Sequence, residues 1–176
     1  MNVKTQTLQM LNEAARMHLS DVFPGISLIA IADSETRLSC RFPEQYKEFL
    51  TRCNGISVAP AGIFGIRPPK NAFDLERSYA NFPQFKAWRM IPISSDGCGN
   101  FYLLDVGSTA DGRIYFYDTI SNDKPGYVVA SDFWHFAYFY ITEAQERKGW
   151  PFEQDYVLNV DPELASPCKA PLPWRT

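Results

Sequence analysis

The sequence has few histidines, no cluster of basic residues and no long apolar run, and each shortage narrows what the chain can do. Only His18 and His135 are available as imidazole bases in 176 residues. Lys and Arg number 17 against 20 Asp and Glu, for a formal net charge of −3, and the cations are scattered. Because phosphate backbones are held mostly by clustered cations, we expect no nucleic-acid partner. A basic partner fits the charge better.

The chain also lacks an export signal and a membrane-length apolar segment. Residues 1–10 contain one lysine and no apolar core of the kind that signal peptides carry. The longest aromatic run, FWHFAYFYI at 133–141, is far short of the roughly 20 residues that span a bilayer. We therefore expect a cytoplasmic protein with no membrane partner.

Cysteine usage excludes a dense disulfide framework. The four cysteines are scattered and contain no C-x-x-C pair: Cys40, Cys53, Cys98 and Cys168. This spacing is more typical of reduced thiols than of disulfides or a zinc site. It agrees with a cytoplasmic location.

Apolar residues that recur every three or four positions predict three helices in the first third of the chain. The first covers residues 7–19, with one apolar face: Leu8, Leu11, Ala15 and Leu19. The second begins at Ser27 as N-cap, and one face holds Leu28, Ile31, Ala32, Glu35 and Leu38. The run LIAIA is also typical of a strand, so a strand is the alternative here. The third follows Pro43 and stops at Asn54-Gly55, and its apolar face holds Phe42, Tyr46, Phe49, Leu50 and Cys53.

The segment from Ile91 to Asp118 predicts a meander of three antiparallel strands. Its turns carry Asp96-Gly97 and Asp111-Gly112, which tolerate the positive φ of tight hairpins. We predict further short strands at 61–66 and 127–130, and a short helix that opens at 72–75 and ends before Pro83.

A closing helix is predicted to begin at Ser131 and to end near Lys148-Gly149. Its buried stripe is Phe133, Phe136, Ala137, Tyr140 and Ile141. Together these elements predict an α+β fold: a single antiparallel sheet with helices on one face and the other face free. We divide the chain into an N-terminal helix and connection (1–26), an α+β domain (27–160) and a Pro-rich extended tail (161–176).

Two chemical alternatives are weaker. Cys98 is the only candidate nucleophile, and a cysteine hydrolase would need His135 beside it as base. His135 lies within an aromatic helix, where a structural role is the simpler interpretation. Five aspartates invite a metal site, but their spacing does not match a calcium loop. We therefore predict no enzyme activity, no cofactor and no metal.

Four segments together resemble the SUKH superfamily, which includes bacterial immunity proteins and the yeast cell-wall-assembly regulator. FPEQYKEFLTRCNGI at 42–56 is similar to the family's Leu-Pro-x-x-Tyr helix with its Asn-Gly end, and IPISSDGCGNFYLLDV at 91–106 to its strand, turn and strand. RIYFYD at 113–118 and VASDFWHFAYFY at 129–140 follow in the family's order. The resemblance covers about residues 27–140.

The resemblance implies a non-catalytic immunity protein that binds and neutralises a cognate bacterial toxin, often a nuclease. Family members of this type are encoded beside polymorphic toxins. The alternative is an intracellular interaction scaffold or regulator of the same fold. The sequence leaves the oligomeric state open.

We predict that the partner binds the free face of the sheet. Alternation along RIYFYD places Ile114 and Phe116 on one face, and Tyr115 and Tyr117 on the other. With the helices over Ile114 and Phe116, both tyrosines would be exposed as anchors. Asp105 and Asp118 end their strands without an evident turn role, so they form either a solvated rim or an acidic edge of the sheet that contacts the partner. We predict the partner contact.

Overall fold

The described residues form one sheet of seven antiparallel strands, in which each strand pairs with the next one along the chain. The computed structural model describes residues 2–16, 21–58, 61–67, 73–107, 112–120, 123–146, 153–166 and 171–174. In these ranges the strands are β1 (Asp21–Pro24), β2 (Cys53–Ser57), β3 (Gly62–Ile63), β4 (Met90–Ser95), β5 (Phe101–Asp105), β6 (Ile114–Tyr117) and β7 (Tyr127–Ala130).

The helices lie before, between and after these strands, and in the described ranges β4 to β7 follow one another without a helix between them. The helices are α1 (Val3–Arg16), α2 (Leu28–Leu38), α3 (Glu44–Arg52), α4 (Leu75–Asn81), α5 (Pro83–Trp88), α6 (Phe133–Glu146) and α7 (Gln154–Val160), followed by the 3₁₀ helix η1 (Pro162–Ala165). The predicted α+β class with one antiparallel sheet is confirmed.

The meander of β4, β5 and β6 is confirmed. In the first turn, the Asp96 carboxylate accepts the N–H groups of Cys98 at 2.8 Å and Asn100 at 3.1 Å, and Gly97 has a φ of 77°. Asp96 and Gly97 therefore perform the turn roles expected of them. Asp111 of the second turn lies outside the described residues.

The first two helices differ from prediction in the faces they bury. Helix α1 begins earlier than expected and buries Thr7, Leu11 and Ala14. Ser27 caps α2 as predicted, since its hydroxyl accepts the N–H of Ala30 at 3.2 Å. However, α2 buries Ile31, Ser34, Glu35 and Leu38, and the predicted Leu28 and Ala32 are exposed.

Helix α3 buries the predicted face, and strand β2 begins at the residue after its end. The predicted helix stop, Asn54-Gly55, lies within β2, a strand that the sequence did not predict. The Asn54 side chain bonds both the N–H of Ile66, at 2.8 Å, and its carbonyl, at 2.6 Å. Gly55 has a φ of 93°, which few other residues adopt. Strand β1, also unpredicted, pairs with β2 along the sheet edge.

The closing helix has a different N-cap from the predicted one. Asp132, not Ser131, accepts the N–H of His135, at 2.9 Å. Ser131 instead donates its N–H and hydroxyl to the fully buried Asp161, at 2.7 and 2.6 Å. The predicted buried stripe of α6 is confirmed, and its predicted end near residue 148 lies outside the described ranges.

The sheet is covered on both faces, so the expected free face is wrong. Tyr102 contacts Phe136 of α6, with ring centroids 5.2 Å apart. Its neighbour Phe101, which points to the opposite face, contacts Phe85 of α5 at 5.5 Å. Adjacent strand residues point to opposite sides, so α5 and α6 lie on opposite faces.

The C-terminal segment completes the cover. Residues predicted to begin an extended tail form η1, and the N–H of Val128 in β7 bonds the carbonyl of Pro171 at 3.1 Å. A separate apolar cluster joins this segment to the sheet and α6: Tyr115, Val128, Phe139, Val157, Leu164 and Leu172. The domain limits given above stay predictions.

Candidate functional site

Two of the four predicted site residues are buried inside the chain. Tyr115 is 8% exposed and belongs to the C-terminal cluster. Tyr117 is 4% exposed and lies edge-on to Trp88 and Phe85 of α5, with centroids 5.1 and 5.8 Å apart. The exposure predicted for both tyrosines is wrong because elements distant in sequence cover their face. Their partner-binding role stays a prediction, and burial removes them from the surface on which it would act.

The two predicted aspartates lie at opposite ends of the β5–β6 hairpin. Phe101 pairs with Tyr117 and Leu104 with Ile114, so Asp118 follows one end of the pairing and Asp105 the other. At about 3.3 Å per residue the two are roughly 15 Å apart along the strands. They form no common acidic edge.

Each of these aspartates also has the turn role that the sequence did not suggest. The Asp105 carboxylate accepts the N–H of Gly107 at 2.8 Å, and that of Asp118 accepts the N–H of Ile120 at 2.9 Å. Both side chains keep partial exposure. A partner contact through them stays a prediction.

The cysteine and histidine of the enzyme alternative occupy different ends of the fold. Cys98 is exposed in the β4–β5 turn. His135 follows β7, whose last residue, Ala130, pairs with Ile114 at the end of the sheet remote from that turn. The His135 Nδ1 lies 2.9 Å from an Asp132 oxygen. The geometry thus gives the histidine a structural carboxylate partner and does not bring it to Cys98.

Metal ligation gains no support from the described side chains. Across those residues no three His, Cys, Asp or Glu side chains gather in a way that could hold an ion. Likewise, none of the helices in the described part of the chain is long and apolar enough to cross a bilayer.

The most distinctive surface is the outer side of α2, here called the α2 face. It consists of five exposed residues: Leu28, Ile29, Ala32, Asp33 and Thr36. Leu28 is 67% exposed and Ile29 75% exposed, and neither is a member of the buried apolar clusters of the described residues. Large adjacent apolar side chains on a surface are typical of interaction sites.

A cleft of about 440 Å³ opens at the C-terminal end of the α2 face. The end of α2 and the segment after it, the residue between α5 and β4, and the loop after β5 line it: Glu35, Thr36, Ser39, Cys40, Arg41, Arg89, Val106 and Gly107. The buried Glu35 accepts the N–H of Phe42 at 2.7 Å and a nitrogen of Arg41 at 3.3 Å. The cleft therefore places a carboxylate below the rim and arginines on it.

The thiol in this cleft is not an activated nucleophile. Burial, assisted by the charge of Glu35, raises the pKa of Cys40 to about 11. Burial likewise raises the pKa of Cys53 to about 11. Both thiols therefore stay protonated at neutral pH, and the nucleophile is the thiolate.

The α2 face was missed by sequence reasoning because the apolar pattern was assigned entirely to the core. The signal was present in LIAIA, where Leu28 and Ile29 add apolar side chains outside the arc that one helix face can bury. Four buried residues already fill that arc, so the two others have no core role.

Comparison with known families shows which family the chain resembles over most of its length. The sequence model of the SMI1 / KNR4 family (SUKH-1) matches residues 25–138, which is more than half of the chain. The matched region runs from the residues before α2 into α6 and includes the α2 face. No curated protein sequence matches the chain significantly.

Proposed function

The chain belongs to the SMI1 / KNR4 family (SUKH-1), and on that premise we propose that it is an immunity protein. In this proposal it binds a cognate toxin of a bacterial polymorphic toxin system in the cytoplasm of the producing cell. The family is generally non-catalytic and is associated with the binding of protein partners. Neutralisation would thus come from occupying the toxin, not from modifying it.

Family membership carries this proposal, and two properties of the chain support it. The net charge of −3 favours a basic partner such as a nuclease, whose surface must attract phosphates. The exposed apolar pair of the α2 face supplies the kind of anchor that dominates protein interfaces. Charge would then speed the encounter, and apolar contact would hold the complex.

A survival experiment tests the proposal. The C-terminal domain of the secreted protein encoded beside this gene is expressed from an inducible promoter in a bacterial host, with or without this chain. We expect the domain to stop growth on its own and growth to be restored when the chain is present. A second strain carries an unrelated immunity protein as control and should not grow.

Two results would contradict the immunity role. One is a genome in which no neighbouring gene encodes a secreted protein with a toxic domain. The other is a toxic neighbour that kills equally well in the presence of the folded chain. Either result would favour the regulatory alternative.

A further inference from the structure

We propose that the α2 face is the surface on which the protein partner docks, and that the partner presents an apolar patch flanked by a lysine or arginine. This inference rests on the proposed function and names the surface that performs it. It replaces the sheet face, which α5 and the C-terminal segment cover.

The apolar part of the α2 face has no role in folding. Helix α2 buries Ile31, Ser34, Glu35 and Leu38, whereas Leu28 and Ile29 are mostly exposed and belong to neither apolar cluster of the described residues. Exposed large apolar side chains favour removal from water whenever a complementary surface is offered. Their adjacency doubles the apolar area that one contact could bury.

Other exposed apolar side chains form weaker candidates. Among the described residues, Ile120 is 90% exposed in the turn after β6, and Tyr156 of α7 is 38% exposed. Neither is next in sequence to another exposed large apolar residue, the Tyr156 ring contacts Phe139 at 6.4 Å, and single exposed apolar residues are normal on protein surfaces. Only Leu28 and Ile29 are adjacent, and they share a rigid helix with the rim of a cleft.

The charge on the α2 face selects a basic partner. Asp33 lies four residues after Ile29, hence one helical turn along the same side. The arginine one turn further along, Arg37, pairs with Glu76 through two contacts at 2.6 and 3.0 Å. Asp33 also acts on the Arg37 guanidinium, so two carboxylates face one cation and this part of the surface keeps a negative charge. The net charge of −3 acts in the same direction at longer range.

The α2 face is held in one conformation before binding. The Ser27 hydroxyl caps its first turn, and the N–H of Ser39 closes its last turn on the carbonyls of Glu35 and Thr36. The Glu35 side chain bonds Phe42 at 2.7 Å and so fixes the helix to the segment before α3. A surface ordered in advance loses less conformational entropy when it binds.

The test measures binding of the neighbouring toxin domain, made catalytically inactive, to variants of the full chain. The principal variant is Leu28→Ser/Ile29→Ser, and its control is Ile120→Ser, which removes a still more exposed apolar side chain in the turn after β6. We expect the Kd to rise by at least about 30-fold for the double variant, as for anchors at interface centres. The control should stay within about threefold of the parent.

A second pair of variants tests the charge. Asp33→Asn should slow association several-fold at low salt, and the difference should shrink at high salt because ions screen exposed charges. The matched control is Asp123→Asn, which removes an exposed carboxylate from the β6–β7 connection. It should leave the association rate within twofold of the parent.

Two further measurements check the folding of the double variant and the location of the interface. The double variant should keep a melting temperature close to that of the parent, because the removed side chains are mostly exposed and belong to neither apolar cluster of the described residues. Hydrogen exchange on the unmodified complex should show protection at residues 28–38 and none at residues 97–100. This measurement decides the location even if a variant were to misfold.

The outcomes separate the docking inference from the proposed function. If the unmodified chain does not bind the toxin domain, both are overturned. If it binds, but the double variant binds within threefold and residues 28–38 gain no protection, the α2 face is overturned while the immunity role stands.

Discussion

Tyr117 should be a core residue, and the substitution Tyr117→Ala should therefore unfold the protein more readily rather than weaken a surface contact. Its ring is 4% exposed and lies against Phe85 and Trp88. Removal of a buried aromatic ring usually costs about 3–5 kcal/mol. The hydroxyl adds little, because its contact with Gln84 is 3.5 Å, at the limit for a hydrogen bond.

We expect Tyr117→Ala to lower the free energy of unfolding by about 3–4 kcal/mol. With a urea dependence of about 2 kcal/mol per molar, the midpoint of unfolding should fall by roughly 1.5–2 M. Urea titration followed by circular dichroism measures this shift. Tyr117→Phe is the matched control, since it keeps the ring, and its loss should stay below about 1 kcal/mol.

A stable Tyr117→Ala variant would contradict the packing of α5 on Tyr117. A loss below about 1 kcal/mol, together with weakened toxin binding, would mean that α5 does not pack over Tyr117 in solution. The sheet face would then be exposed and would again be a candidate partner surface. The proposal for the α2 face, which depends on the sheet face being covered, would be weakened.

Three further predictions concern titration, thiols and the C-terminal segment. Burial lowers the pKa of His135, but its hydrogen bond to Asp132 and the charge of Asp161 outweigh burial, so the net pKa is raised. The contribution of His135 to the free energy of unfolding should be complete below about pH 6.5 and lost as pH rises through the folded pKa. In the His135→Gln variant, the free energy of unfolding should change less with pH over this range. Cys98 is exposed, so in native protein near pH 7.5 a thiol reagent should modify it before Cys40 and Cys53, whose pKa values are raised. Peptide mapping measures the order of modification, and equal rates of modification at the three cysteines would contradict the burial of Cys40 and Cys53. Asp161→Ala leaves two buried donors of Ser131 without their acceptor and should cost about 2–4 kcal/mol by urea unfolding, whereas an unchanged midpoint would contradict that network.

Features with a local cause could be predicted from the sequence. The turn at Asp96-Gly97 forms because the aspartate bonds the N–H groups that follow it. Ser27 caps α2 for a similar reason, and β7 has the predicted bounds. The buried stripe of α6 follows from helical periodicity alone.

Features set by distant contacts could not be predicted. Alternation places Tyr115 and Tyr117 on one side of β6, but it cannot tell that α5 and the C-terminal segment cover that side. Similarly, helical periodicity allowed Leu28 to face the core. The rotation of α2 is fixed instead by burial of Ile31 and by the bond of Glu35 to Phe42.

The strands β1 and β2 were missed because their local signals point elsewhere. Asn54-Gly55 is typical of a helix stop, and α3 does end just before it, but the same residues also lie within β2. Asn54 bonds Ile66, twelve residues further along the chain, and that contact has no local sequence signature.

A stoichiometric inhibition titration decides whether the chain neutralises a toxin by occupying it. Purified chain is added in steps to a fixed concentration of the active toxin domain, well above the Kd, while toxin activity is followed. We expect a linear loss of activity that ends at a fixed molar ratio, and activity that returns when the complex is dissociated. Complete, irreversible inactivation by a small fraction of one chain per toxin would show turnover and contradict a non-catalytic binder.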